Sequence, residues 1–220
     1  GKDVEGVAIR DIVEQIVSRK KAKTKIPFLY ECQKVVFPPK ISMEQCSSQI
    51  TAEYKQQLVS GKRGADLTGG AGIDAYYLCK DTEKFDYIEQ NDTLVQLTKH
   101  NFEQLEANQI HTHTMTAEEF INNTSDHYDF IYLDPSRRDT NKRKVFLFAD
   151  CVPNIVSMKE TLLQRTDKVI VKASPLVDIK QGMQELIGVE EIHVVAVENE
   201  CKELLFVLSN KVVVSPRIVC

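Results

Sequence analysis

Nine consecutive residues, Asp66-Leu67-Thr68-Gly69-Gly70-Ala71-Gly72-Ile73-Asp74, hold the first chemistry this sequence offers. Glycines at 69, 70 and 72 permit a tight turn and let a ligand come close to the backbone. Asp66 sets a carboxylate just ahead of them, which suits a cationic group and repels a pyrophosphate. The spacing also departs from the GxGxxG of dinucleotide binding. Glu89 stands where an acid accepts a pair of ribose hydroxyls. Thr116-Ala117-Glu118 follows where a base edge would sit, with the Ala117 backbone or Glu118 as the contact. A third cluster is Leu133-Asp134-Pro135-Ser136-Arg137-Arg138. Asp134 is suited to take a proton or hydrogen bond from a nucleophilic nitrogen or oxygen, and Pro135 fixes the backbone beside it. Arg137 and Arg138 are suited to grip a phosphate, and Arg137 also to stack on a base. Lys172 and Ser174 fall at the same edge; either is able to touch substrate, a surface lysine and a capping serine being the plainer reading.

These groups need a scaffold that brings strand ends together, and the hydrophobic rhythm supplies one. From residue 63 onward, strands and helices alternate. Strands are expected at 63–68, 85–89, 111–115, 130–133 and 169–171. Helices are expected at 73–80, 94–105 (with Leu94, Leu97, Phe102 and Leu105 on one face), 117–122, 152–163 and 179–187. Repeated βαβ units require a parallel sheet. Strands at 192–197 and 204–208 close it as a hairpin, which makes the last one antiparallel. Residues 1–60 read as a helical segment. Val4, Val7, Ala8, Ile12, Val13, Ile16 and Val17 form an apolar stripe. Pro27 ends that helix, 35–37 reads as a short strand, and Ser42 with Gln45 resembles a capping box for a helix to about residue 60. Residues 61–210 then form the main domain, and 211–220 reads as the start of a truncated C-terminal extension.

The chain has 220 residues, 42% hydrophobic and 27% charged, as in ordinary globular proteins. It has no run near the ~20 apolar residues of a membrane span and shows no secretory signal. Six cysteines, without a CxxC pair, argue against a zinc site or a disulfide scaffold and for thiols in a reducing cytoplasm. A net charge of -4 gives no global attraction to nucleic acid. Two basic runs stand out locally: Arg19, Lys20, Lys21, Lys23 and Lys25, and Arg137, Arg138, Lys142, Arg143 and Lys144. Either is able to track phosphates, and a solvated helix end is the plain alternative for the first.

Asp66–Asp74, Glu89 and Asp134–Arg138 resemble motifs I, II and IV of the class I methyltransferases that use S-adenosylmethionine (SAM). The resemblance covers roughly residues 42–209. It is nearest to bacterial methyltransferases with a THUMP-like C-terminal domain, in which a stretch like Ser42-Met43-Glu44-Gln45-Cys46-Ser47-Ser48 precedes motif I. It implies an α/β, Rossmann-like sheet of seven strands with the last antiparallel, behind a helical N-terminal segment. It implies SAM held by Asp66, Thr68, Gly69, Gly70, Gly72, Glu89, Ala117 and Glu118, with Asp134 and Pro135 as the catalytic edge. It implies an RNA substrate, held by Arg137, Arg138 and Lys172; the cysteine spacing and the hydropathy point to no metal and no membrane. Arg137 stands where base N-methylating relatives have a stacking aromatic, which counts against adenine. Ala173 stands near the cysteine of uracil-5 enzymes, and Cys151 is a poor substitute, so a base nitrogen is favoured over covalent chemistry at uracil C5. Rival readings are a small-molecule or protein methyltransferase and a non-catalytic binding module on the same fold. A nicotinamide oxidoreductase is disfavoured by the hairpin and the absent fingerprint.

Overall fold

The computed structural model describes residues 3, 4, 6–137, 147–211, 213 and 215–220. The central sheet contains β1 (Arg63–Asp66), β2 (Lys84–Glu89), β3 (Ile110–Thr114), β4 (Phe130–Leu133), β5 (Lys168–Ala173), β6 (Val189–Val197), β7 (Glu200–Ser209) and β8 (Arg217–Val219). Their spatial order is β8-β6-β7-β5-β4-β1-β2-β3. Only β7 among these runs antiparallel, between β5 and β6. The chain builds outward from β1 to β3, then crosses back to lay β4 on the other side of β1. That reversal opens a crevice at the carboxyl ends of β1 and β4, where ligands bind in open α/β sheets.

All seven strands expected in the main domain are present, and β8 extends the sheet by pairing in parallel with β6, Ile192 opposite Ile218. β4 is buried along its whole length, as an inner parallel strand requires. The β6–β7 turn is tighter than expected: Glu198 and Asn199, at φ 53° and 62°, fill its two central positions. Both residues being left-handed matches the strand twist of a two-residue hairpin.

Helices cover both faces. α5 (Ile73–Leu78) and α6 (Asp92–Gln104) pack on one, with Leu78, Val95 and Phe102 against Phe85, Tyr87 and Phe130. α7 (Ala117–Asn123), α8 (Ile155–Arg165) and α9 (Ile179–Leu186) pack on the other, with Ile121, Leu162 and Leu186 against Ile131, Val169 and Phe206. The N-terminal segment holds α1 (Ile9–Lys25), α2 (Pro27–Glu31), α3 (Lys40–Gln45) and α4 (Gln49–Gln56). It docks on the α5–α6 side, where Phe28 stacks on Tyr76 at 4.7 Å. No helix among the described residues is long and apolar enough to cross a membrane.

Several local expectations are corrected. α1 ends just ahead of Pro27 as expected, but Pro27 then starts α2, because its missing N–H falls among those a first turn leaves unpaired anyway. Residues 35–37 are extended but join no strand: the Asn101 side chain takes both the N–H and the C=O of Val36, at 2.8 and 2.7 Å. The helix expected from Ser42 is two helices. Ser42 lies inside α3, and Ser48 caps α4 by accepting the Thr51 N–H. The α1 stripe does not face the core: Val13 and Ile16 are 52% and 49% exposed, while Ser18 and Ala22 are buried. Of the expected α6 face only Phe102 is fully buried; Leu94, Leu97 and Leu105 are half-buried, and Val95, Thr98 and Asn101 are buried instead, because Thr98 and Asn101 have hydrogen-bonding partners inside. Residues 152–154 precede α8, with Val152 paired to Ser136.

Candidate active site

The glycine turn is folded onto β2. Gly69 N–H donates to Ile88 O at 2.8 Å, Gly72 N–H to Gly69 O at 2.9 Å, and the Tyr87 hydroxyl to Gly70 O at 2.6 Å. A side chain on Gly69 would run into the Tyr87 ring, and one on Gly72 into Thr98. Two of the three glycines are thus demanded by the protein's own packing. Gly70 differs: it is left-handed like Gly72, but a Cβ there would meet only Thr68 O, at an ordinary 3.7 Å. Glu89 braces the turn from the other side by accepting the Gly70 and Asn91 N–H groups at 3.1 and 2.8 Å. Its remaining lone pairs are available to two neighbouring hydroxyls.

A cleft of about 750 Å³ opens along this turn. It is lined by Asp66, Thr68, Gly69, Gly70, Glu89, Ala117 and Glu118, and also by Asp134, Pro135 and Lys172. The structure therefore gathers those expected residues at one site. Gly72 lies outside the lining, as the left-handed N-cap of α5. Thr116 and Glu119 form a reciprocal capping box on α7, and Thr116 lines the cleft together with Ala117 and Glu118. The backbone of Arg137 pairs with Cys151. Arg138, Lys142, Arg143 and Lys144 lie outside the described residues.

Carboxyl groups dominate the floor. Asp66 is 1% exposed and accepts the Thr68 N–H at 2.9 Å. Burial, aided by the Asp74 and Asp134 charges, holds its pKa well above the usual carboxylate range despite that hydrogen bond. Asp134 directly follows β4 with its side chain 36% exposed, and Lys172 Nζ stands 2.5 Å from its Oδ2. Lys172 is thus engaged with the candidate catalytic carboxylate, a contact its sequence position does not reveal. Ala173, at the end of β5, is buried. Cys151 is buried too and is not among the cleft-lining residues.

Beneath the cleft lies a cluster that sequence reasoning missed. Lys55 of α4, wholly buried, sits 2.6 Å from Glu203 Oε1 and 3.1 Å from Asp74 Oδ1, and donates to Ser47 Oγ at 2.9 Å. Ser47 and Tyr132 hydroxyls donate to Asp74 Oδ2 at 2.7 and 2.9 Å. Burial works against the Asp74 charge, but Lys55, Lys172 and Ser47 outweigh it and lower its pKa; at Glu203 burial wins and raises it. The N-terminal segment also lines the cleft directly, through Ser42, Gln45, Cys46 and Ser47. The one local hint was a charge, Glu203, abutting the apolar run Leu204–Leu208.

The first basic run is largely committed within the chain. Arg19 lies 4.7 Å over the Tyr30 ring, Lys21 pairs with Glu44, and Lys25 donates to Met43 O and Glu44 O at 3.0 and 2.7 Å. Lys20 and Lys23 are exposed. Among the described residues no group of three or more His, Cys, Asp or Glu side chains is arranged to hold a metal.

Strand order, antiparallel β7 and a cleft over the β1 turn define the Rossmann-like fold of the class I methyltransferases. Residues 50–191 match the model of the family described as Conserved hypothetical protein 95, and the chain belongs to that family. The crystal structure of a protein from Porphyromonas gingivalis W83, described as a candidate methyltransferase, superposes with a TM-score of 0.85 at 30% identity, over 98% of this chain and 54% of that one. This chain thus spans about half that protein's length. Two further structures share the fold. An rRNA methylase from Streptococcus thermophilus has TM-score 0.53 and 10% identity, over 73% of this chain and 93% of its own. M. capricolum TrmK, in complex with its natural cofactor product S-adenosyl-homocysteine, has TM-score 0.55 and 14% identity, over 73% and 68%. No curated protein matches the chain.

Proposed function

We propose that this chain is a SAM-dependent methyltransferase acting on RNA. The observation that carries the cofactor reading is the charge balance of the cleft. Five carboxyl groups line the cleft, Asp66, Asp74, Glu89, Glu118 and Asp134, against two ammoniums, Lys172 and Lys202, and the most deeply buried of these acids, Asp66, has no cationic partner among the described residues. A ligand carrying an ammonium and a sulfonium supplies the missing positive charge. Asp66 would hold its amino end, Glu89 the ribose hydroxyls, and Ala117 with Glu118 the adenine edge, while Gly69, Gly70 and Thr68 shape the backbone it lies against. When bound, the group supplies an electrophilic methyl on sulfur. Asp134 and Pro135 border the acceptor, and alignment of acceptor and methyl accounts for much of the rate.

RNA is favoured because a fold relative from S. thermophilus is named an rRNA methylase, and because Arg137 and Arg138 follow closely on the catalytic edge. A base nitrogen is the acceptor that the sequence resemblance favours over uracil C5. A THUMP-like domain beyond this chain fits the P. gingivalis protein, of which nearly half extends outside the match. Six cysteines outside any disulfide fit a reducing cytoplasm.

The test is calorimetric titration with SAM followed by transfer of labelled methyl onto total cellular RNA. Binding and RNA labelling are expected. Asp134→Ala should keep the affinity and lose the transfer. Label appearing only in protein or small-molecule fractions would replace the RNA reading, and absence of SAM binding would remove the cofactor reading.

A further inference from the structure

Along one wall of the cleft, lysines and carboxylates interleave. Lys172 of β5 holds Asp134 at the end of β4, and below them Lys55 of α4 holds Asp74 of α5 and Glu203 of β7. A carboxylate needed only to receive a hydrogen bond from a substrate amine does not call for an ammonium placed upon it. Lys172 faces the cleft with its side chain 13% exposed. Burial opposes its charge, but Asp134, Asp74 and Glu203 more than offset this and raise its pKa, so the group is an ammonium at neutral pH.

From this arrangement we infer that the acceptor atom is a hydroxyl oxygen, a ribose 2′-hydroxyl on the RNA reading, with Asp134 receiving its proton and Lys172 stabilising the oxygen's developing negative charge. The inference rests on the cofactor and RNA readings above and departs from the base nitrogen that the sequence favours. The sign of the charge decides between the two. A base nitrogen becomes more positive as it takes a methyl, and an adjacent ammonium opposes that. A hydroxyl oxygen gains alkoxide character as its proton leaves, and the same ammonium favours it. In the step, the O–H proton passes to the Asp134 carboxylate while the oxygen bonds to the methyl carbon. The carbon–sulfur bond breaks with its electron pair left on sulfur, and Asp134 then returns the proton to water. Lys172 stays protonated throughout. Asp74 and Glu203 lie near enough for their charges to favour the ammonium form.

The acceptor class is read from the product. Total RNA is methylated with labelled SAM, then divided between alkaline hydrolysis and digestion to nucleosides. Label in alkali-resistant dinucleotides is the expected result, because a 2′-O-methyl group blocks cleavage at its own phosphate. Label on base-methylated nucleosides overturns the inference and leaves the RNA reading intact. SAM binding without any label in RNA overturns both, and loss of SAM binding itself strikes the cofactor reading. Lys172→Met should retain calorimetric SAM affinity and lose roughly 10²–10³-fold in kcat, the scale of removing one oxyanion donor. Lys172→Arg should recover part of that loss by keeping the charge. Equal kcat in the Met variant and the parent overturns the role given to Lys172.

Discussion

The Thr68 hydroxyl accepts the backbone N–H of Asp134 at 2.6 Å and points its own hydrogen toward Asp66 Oδ1, 3.3 Å away. One side chain thereby ties the glycine turn to the strand end that carries the candidate catalytic carboxylate. Thr68→Val keeps the shape and removes the acceptor. Leaving the Asp134 amide without its partner should cost about 1–3 kcal/mol. Each kcal/mol lowers Tm by about 2–4 °C in a chain of this size. We expect kcat to fall more than KM rises, because Asp134 shifts while the cofactor contacts stay. Thr68→Ser should restore both. Normal kcat in the Val variant would show that something else sets the spacing of the two loops.

Asp66 gives a pH dependence whose sign is fixed by its environment. Its folded-state pKa is raised by burial above the unfolded value, so the folded state holds the proton more tightly. Stability of the free protein should therefore fall as pH rises from the unfolded carboxylate value, about 3.9, through the raised folded value. A cationic ligand favours the carboxylate form. Affinity for SAM should climb over the same window, with a proton released on binding. Calorimetry in buffers of differing ionisation heat measures that proton directly. Asp66→Asn preserves the acceptor for the Thr68 N–H. It should raise the Tm of the free protein at pH 7 while weakening SAM binding and flattening its pH dependence. Tighter binding in the Asn variant would remove Asp66 from the cofactor site.

What could be read from the sequence follows how local each signal is. The glycine turn, Glu89 and Asp134 announce themselves because residue type, strand end and turn fall within a few positions of one another, and the structure brings them to one cleft. The sheet is legible because β-type and helix-type rhythms alternate with short breaks. The Lys55–Glu203 pair joins residues 148 positions apart, and nothing in either local pattern records a partner at that distance. Periodicity also misleads where a polar side chain has an interior task. Asn101 is buried in α6 to pin Val36, while Val13 of the apolar α1 stripe stays exposed. The Ser42–Ser48 stretch stood out as a marker ahead of the turn; only the folded chain shows it as a wall of the cleft.

Lys55 should be a stability residue whose loss is repaired by losing a partner. In Lys55→Met, Asp74 and Glu203 keep their burial without the ammonium between them, a change that costs about 3–5 kcal/mol for a broken buried pair. The deficit should shrink at lower pH, where the carboxyl groups protonate. Adding Glu203→Gln to Lys55→Met removes one stranded charge and should recover part of the loss. Urea denaturation of the two single variants and the double variant forms the cycle. Strict additivity at pH 7 would show that the three groups are not coupled.

The three glycines of the turn should answer alanine substitution differently, because each is required for a different reason. A Cβ on Gly69 would sit 2.1 Å from the Tyr87 ring, and that ring is held by its hydroxyl on Gly70 O, so Gly69→Ala must displace a buried aromatic. Gly72 combines a φ of 75° with a Cβ 2.4 Å from the Thr98 methyl, adding backbone strain to the clash. Gly70 has a φ of 51° and meets only Thr68 O, at 3.7 Å. Its substitution should cost no more than the left-handed penalty of about 1–2 kcal/mol. Urea denaturation should therefore rank Gly70→Ala as the mildest of the three. Its Cβ nevertheless enters the space in which the cofactor is expected to lie, so its SAM affinity should fall out of proportion to its stability. Full affinity in a folded Gly70→Ala protein would mean that the cofactor does not cross this residue, and the placement of its amino end beside Asp66 would have to be abandoned.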